Sequence, residues 1–115
     1  MSSLNIPSSM VEGTKVFNPH GDKLGSIQDL IIDKRSGQVR YAEMEFGGFL
    51  GMGTDRYPLP WNLLKYDTVK DAYVVNLEKE QLDRAPHYSA EKDKQPDYQD
   101  EYGRQVYDYY GERWL

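Results

Sequence analysis

Between Gly13 and Leu64 the chain passes through short stretches of β-branched and apolar residues, separated by glycine turns and closed by Pro58-Leu59-Pro60-Trp61. Strands this short, turned this often, leave no room for crossover helices. Thr14 to Phe17 reads as a first strand, and Asn18-Pro19-His20-Gly21-Asp22 supplies turn geometry. Leu24 to Asp33 is a second strand, and Lys34-Arg35-Ser36-Gly37 turns the chain into a third from Gln38 to Phe46. Apolar residues fall on both parities of the second strand, so a bulge near Gln28-Asp29 is expected. In the third strand Ala42, Met44 and Phe46 share one face, read as inward, and Tyr41, Glu43 and Glu45 share the other.

A short strand from Arg56 to Leu59 carries two neighbouring prolines, which suit a strand end or a sheet edge. Leu63 to Tyr66 and Ala72 to Leu77 give two more strands around a turn at Asp67 to Asp71, and Glu78 to Arg84 reads as a short helix ending before Pro86. The expected fold is therefore all-β: a small antiparallel six-stranded barrel or rolled sheet, which removes edges that six separate strands would leave exposed.

The 115 residues suit one domain, able to bury roughly two thirds of the surface of its unfolded chain. Composition divides the chain into a polar, flexible N-terminus at 1–10, a core-forming region at 11–88, and an acidic, tyrosine-rich tail at 89–115. Without cysteine there is no disulfide framework or thiolate metal site, and two separated histidines, His20 and His87, offer little for zinc. No metal or cofactor is expected. A net charge of -5, with 14 Lys and Arg residues scattered among acids, disfavours direct nucleic-acid binding. No segment has the length or the apolar character of a transmembrane helix or leader, so a soluble, cytoplasmic protein is the expectation.

Candidate chemistry is sparse. The loop from Gly47 to Gly53 is glycine-rich, but no Lys-Ser or Lys-Thr follows to make a phosphate cradle. Its Phe49, Leu50 and Met52 either cap an open barrel end or form an apolar tip for a partner. Glu43 and Glu45 read as a solvated strand face, Trp61 as a core plug, and both histidines as exposed residues without a catalytic partner. No serine sits in a nucleophile-elbow context, and no catalytic residue is assigned.

In the tail, which carries five of the ten tyrosines and a charge of -3, Tyr98, Tyr102, Val106 and Tyr109 recur at helical spacing. With Asp97 as N-cap and Gly111 as stop, a helix from Tyr98 to Tyr110 is plausible; Gly103 weakens it, and Val106 to Tyr110 would also suit a strand. Such a stripe could pack on its own barrel, dock on a second subunit or another protein, or stay disordered.

The run KVFNPHGDKLGSIQDLIIDKRSGQVRYAEMEFGG, continued by RYPLPWNLL and YVVNLEKEQLDRAPHY, resembles the PRC-barrel domain over residues 11–88. The resemblance rests on the HGDKLG hairpin before Leu30-Ile31-Ile32-Asp33, the glycine-rich apolar loop, and Pro60-Trp61 with Leu64, taken in order. It implies a stand-alone bacterial relative of the cytoplasmic part of the photosynthetic reaction centre H subunit and of the C-terminal domain of a ribosome maturation factor. The family serves mainly as a platform for protein contacts and has no shared catalytic residues. The expected function is a non-catalytic adaptor that self-associates, with a dimer as first guess and any other protein partner unknown. The alternatives are an accessory role in ribosome or RNA maturation through protein contacts, or a peripheral subunit of a photosynthetic membrane complex. The candidate interaction residues are Phe49, Leu50, Met52, Tyr98, Tyr102, Tyr109 and Trp114.

Overall fold

A computed structural model of the chain describes residues 5–46, 55–89 and 95–113. Seven strands form one sheet: β1 (Lys15–Phe17), β2 (Lys23–Ile32), β3 (Val39–Phe46), β4 (Asp55–Pro60), β5 (Lys65–Asp67), β6 (Ala72–Val74) and β7 (Tyr88–Ser89). Their order is β5-β6-β1-β2-β3-β4-β7, and every pairing is antiparallel except β1 with β6. Among the described residues no ladder joins β5 to β7, so the sheet is not closed into a barrel. The seventh strand, beyond the six expected, is a two-residue pairing of Tyr88 and Ser89 with Arg56 and Asp55.

The mixed parity of β2 has a direct cause. The register shifts once between Val16 and Phe17 against β2, and again between Ile27 and Asp29 against β3. Each extra residue flips the faces that follow. Leu24 and Ile27 are thereby both buried, and Leu30 packs against the same cluster. The shift at Gln28 is the bulge that the sequence predicts. The sheet is also tight at Gly25, where a Cβ would sit 2.2 Å from the Glu45 carbonyl oxygen and 2.9 Å from Met44 Cγ, so a side chain there would force the two strands apart.

The main core gathers Val16, Leu24, Ile27, Ala42, Met44, Leu59, Val75 and Leu82 from one face of the sheet and from helix α2 (Lys79–Asp83). Glu78 and Gln81 close a capping box at the start of α2, with the Glu78 N–H donating to Gln81 Oε1 at 2.7 Å. Trp61 lies in a single 3-10 turn (Trp61–Leu63), half-buried, with its ring edge-on to Tyr73 at 5.5 Å. It packs against the core from the rim. Near the N-terminus one short helical turn, α1 (Ser8–Val11), carries Val11 into the core.

The tail contains helix α3 (Asp100–Tyr109), with Asp100 and Glu101 in its first turn, where acids suit the helix dipole. Gly111, at φ 70°, ends it as the spacing predicts: the Gly111 N–H donates to Asp108 O at 3.1 Å and the Glu112 N–H to Tyr107 O at 2.9 Å.

Candidate functional site

Two surfaces emerge, one closed by the tail and one left open. The closed one lies on the second face of β3. Alternation puts Tyr41 and Glu43 opposite the main core, where the sequence predicts solvent, yet Tyr41 is 2% exposed and Glu43 0%. The solvated-face reading of Glu43 is therefore corrected, because residues of the tail lie over it. Val106 and Tyr107 of α3 form a second core with Tyr41, joined by Ile31, Tyr98, Tyr102 and Tyr110.

A carboxylate taken out of water must be compensated by neighbouring donors and charge. Glu43 receives both from the tail and from β4. Gln95 Nε2 donates to the two carboxylate oxygens at 3.1 Å each, the Tyr98 hydroxyl donates to Oε2, and Arg56 Nη1 stands 3.7 Å from Oε1. Arg56 also approaches Glu45, at 3.7 Å from its Nε. Burial, reinforced by the hydrogen bond to Glu43, drives the Tyr98 phenol far above its ordinary range, so it stays a donor. Burial and the charge of Glu43 also push Tyr102 up to about 12. Tyr98 holds a φ of 57°, a left-handed conformation that side chains rarely adopt, at the point where the chain enters α3.

The remaining tail contacts are aromatic and local. Tyr41 meets Tyr98 at 4.8 Å and Tyr107 edge-on at 5.5 Å, and the Tyr107 hydroxyl donates to Arg40 O at 2.9 Å. Tyr109 is 40% exposed, with its hydroxyl donating to Gln81 O. The buried face of α3 is Gly103, Val106 and Tyr107, flanked by the largely covered Tyr110, so the stripe is rotated from the predicted one and Tyr109 lies at its margin. Of the sequence candidates, Tyr98 and Tyr102 are brought together on β3. Phe49, Leu50, Met52 and Trp114 lie outside the described residues. Sequence reasoning missed Glu43, Arg56, Gln95, Tyr107 and Tyr110; the only available signal was a tyrosine-rich tail beside a strand bearing Tyr41 and Glu43.

The open surface is a cleft of about 1150 Å³ that runs along β1 and the β5–β6 hairpin, with residues flanking and within α1 on its other wall. Ile6, Met10, Phe17, Tyr66 and Tyr73 give it an apolar lining, and Lys70 places its ammonium 5.6 Å from the centre of the Phe17 ring. Large apolar side chains are exposed here: Met10 at 65%, Ile6 at 49% and Tyr66 at 44%, with Val69 at 93% on the adjoining turn. The Tyr66 hydroxyl donates to Asp71, which fixes the ring at the rim.

Neither histidine belongs to these surfaces. His20 Nε2 is 3.1 Å from Glu78 Oε1 in an exposed pair, and His87 stacks on Tyr57 at 5.0 Å. Among the described residues no helix is long and apolar enough to cross a membrane.

A search of curated proteins finds no match to this sequence. The family model for the PRC-barrel domain matches residues 6–82, which takes in α1, the strands β1 to β6 and most of α2 but stops short of the tail. With two thirds of its length matched, and a sheet of the corresponding architecture, this chain belongs to the PRC-barrel domain family.

Proposed function

We propose that this protein is a non-catalytic interaction module that self-associates, using the cleft beside β1 and β5 as its contact surface. Membership of a family of protein-interaction domains supports the class of function. The observation that carries the location is the concentration of exposed Ile6, Met10, Tyr66 and Val69 in and around one cleft. A contiguous apolar patch of this kind costs solubility unless something covers it. Phe49, Leu50 and Met52, between β3 and β4 in the sequence and within the matched region, supply a second apolar element for the same role. Within the tail, Tyr98 and Tyr102 act by holding the helix on the sheet, whereas Tyr109 and Trp114 are the residues offered to a partner.

Met10→Asp places a charge at the most exposed apolar position of the cleft lining without touching either core. Light scattering coupled to size-exclusion chromatography, at about 100 µM protein, is expected to show association for the parent chain and a monomer for the variant, with equal melting temperatures. A parent chain that remains monomeric, or a variant that associates equally well, contradicts the reading.

A further inference from the structure

β5 is one of the two end strands of the sheet, β7 being the other, and three observations bear on what could cover it. Among the described residues β5, at one end of the sheet, pairs with β6 alone. Lys65 and Tyr66, which point to opposite faces of the strand, are both exposed, so neither face of this lip is covered. Tyr66 also lines the apolar cleft, so edge and cleft form one continuous surface.

The charges along this edge are self-complementary. In an antiparallel pair related by a two-fold axis, residues are matched about the centre of the strand. Centred on Tyr66, such a pairing sets Lys65 of each copy opposite Asp67 of the other, and one tyrosine opposite the other. Both ion pairs form at the separation of directly opposed cross-strand residues. A slip of one residue would break that match and place the edge's charges against the wrong neighbours.

We propose that two copies of this chain join edge to edge through β5, in antiparallel register about Tyr66, continuing the sheet across the dimer. This rests on the self-association reading and specifies its geometry. A three-residue strand offers few backbone hydrogen bonds, so the edge sets register and orientation while the cleft residues Ile6 and Met10, with Val69 on the adjoining turn, supply the apolar burial. Asp67 meets both demands, since its Oδ1 accepts from the Val69 and Lys70 N–H groups at 2.9 and 3.0 Å and holds the adjoining turn in place.

The test is a charge exchange. Lys65→Asp sets Asp against Asp67, and Asp67→Lys sets Lys against Lys65, so each variant alone is expected to lose about tenfold or more in dimer affinity by sedimentation equilibrium. Mixed in equal amounts, the two variants recover both opposed pairs and are expected to form a heterodimer close to parental strength. Loss of the turn contacts in Asp67→Lys cannot be repaired by mixing, so recovery reports the pairing itself. The chain has no cysteine, so Tyr66→Cys adds a single thiol on the axis, expected to oxidise to a covalent dimer far faster than Lys34→Cys on the exposed β2–β3 turn. Variants that dimerise like the parent, or a Tyr66→Cys chain that crosslinks no faster than the control, overturn the edge pairing. If Met10→Asp still abolishes association in that case, the cleft reading stands and only the register falls; a parent chain that stays monomeric overturns both.

Discussion

Glu43 shows how a single residue can reverse the reading of a strand. Its sequence context, two glutamates alternating with a tyrosine, is the pattern of a half-solvated β-strand, and for Glu45 that pattern holds, with a side chain 27% exposed. At Glu43 the donors Gln95 and Tyr98 arrive from 52 and 55 residues away in the chain, which no local pattern can register. A hydrogen bond to a charged group is worth about 1.5–3 kcal/mol. Tyr98→Phe is therefore expected to destabilise the chain by about that amount in chemical denaturation, and by less than about 1 kcal/mol when Glu43 is already Gln. Equal losses in both backgrounds would mean that the hydroxyl and the carboxylate are not coupled.

At the level of elements, the strands and turns were legible because each carries its own local signal: the β-branched runs, the Asn18–Asp22 and Lys34–Gly37 turns, the end of α2 before Pro86, and the Gly111 stop of α3. The clash of parities in β2 pointed to one bulge, at Gln28, whereas the structure has a further shift beside Phe17, where Leu24 is the extra residue: one clash of parities does not tell how many residues are inserted or where. For the tail, the helix could be read but its partner could not: the stripe of Tyr98, Tyr102, Val106 and Tyr109 is right in period and displaced by part of a turn. The seated tail has a pH signature. Burial raises the phenols of Tyr41 and Tyr110 well above their ordinary value, and neither hydroxyl has a hydrogen-bond partner among the described residues. Above about pH 10 the unfolded chain loses these protons while the folded chain keeps them, so stability falls as pH rises, by at most about 1.4 kcal/mol per pH unit for each tyrosine. Tyr41→Phe and Tyr110→Phe are expected to leave stability at pH 7 unchanged or raised by up to about 1 kcal/mol, and to flatten the alkaline loss. Circular dichroism melts between pH 7 and 11 would show this; an alkaline loss as steep in the double variant as in the parent would contradict the buried placement of these rings.

Over the whole molecule, the two faces of β3 have different fates. One is built into the family's own core, and the other is completed by a tail beyond residue 82, where the family match ends. That division leaves the outer side of β1, β6 and β5 as the uncovered region, with its exposed methionine, isoleucine and tyrosine and a free sheet edge. The account assigns association to this region and a holding role to the seated tail. The most direct test is to record the backbone amide spectrum of the labelled chain by NMR across a dilution series. The account predicts concentration-dependent shifts centred on residues 6–15 and 65–73, with Tyr98 to Tyr107, which hold the helix on the sheet, unchanged. Shifts centred on the tail, or a spectrum that does not change with dilution, would contradict it.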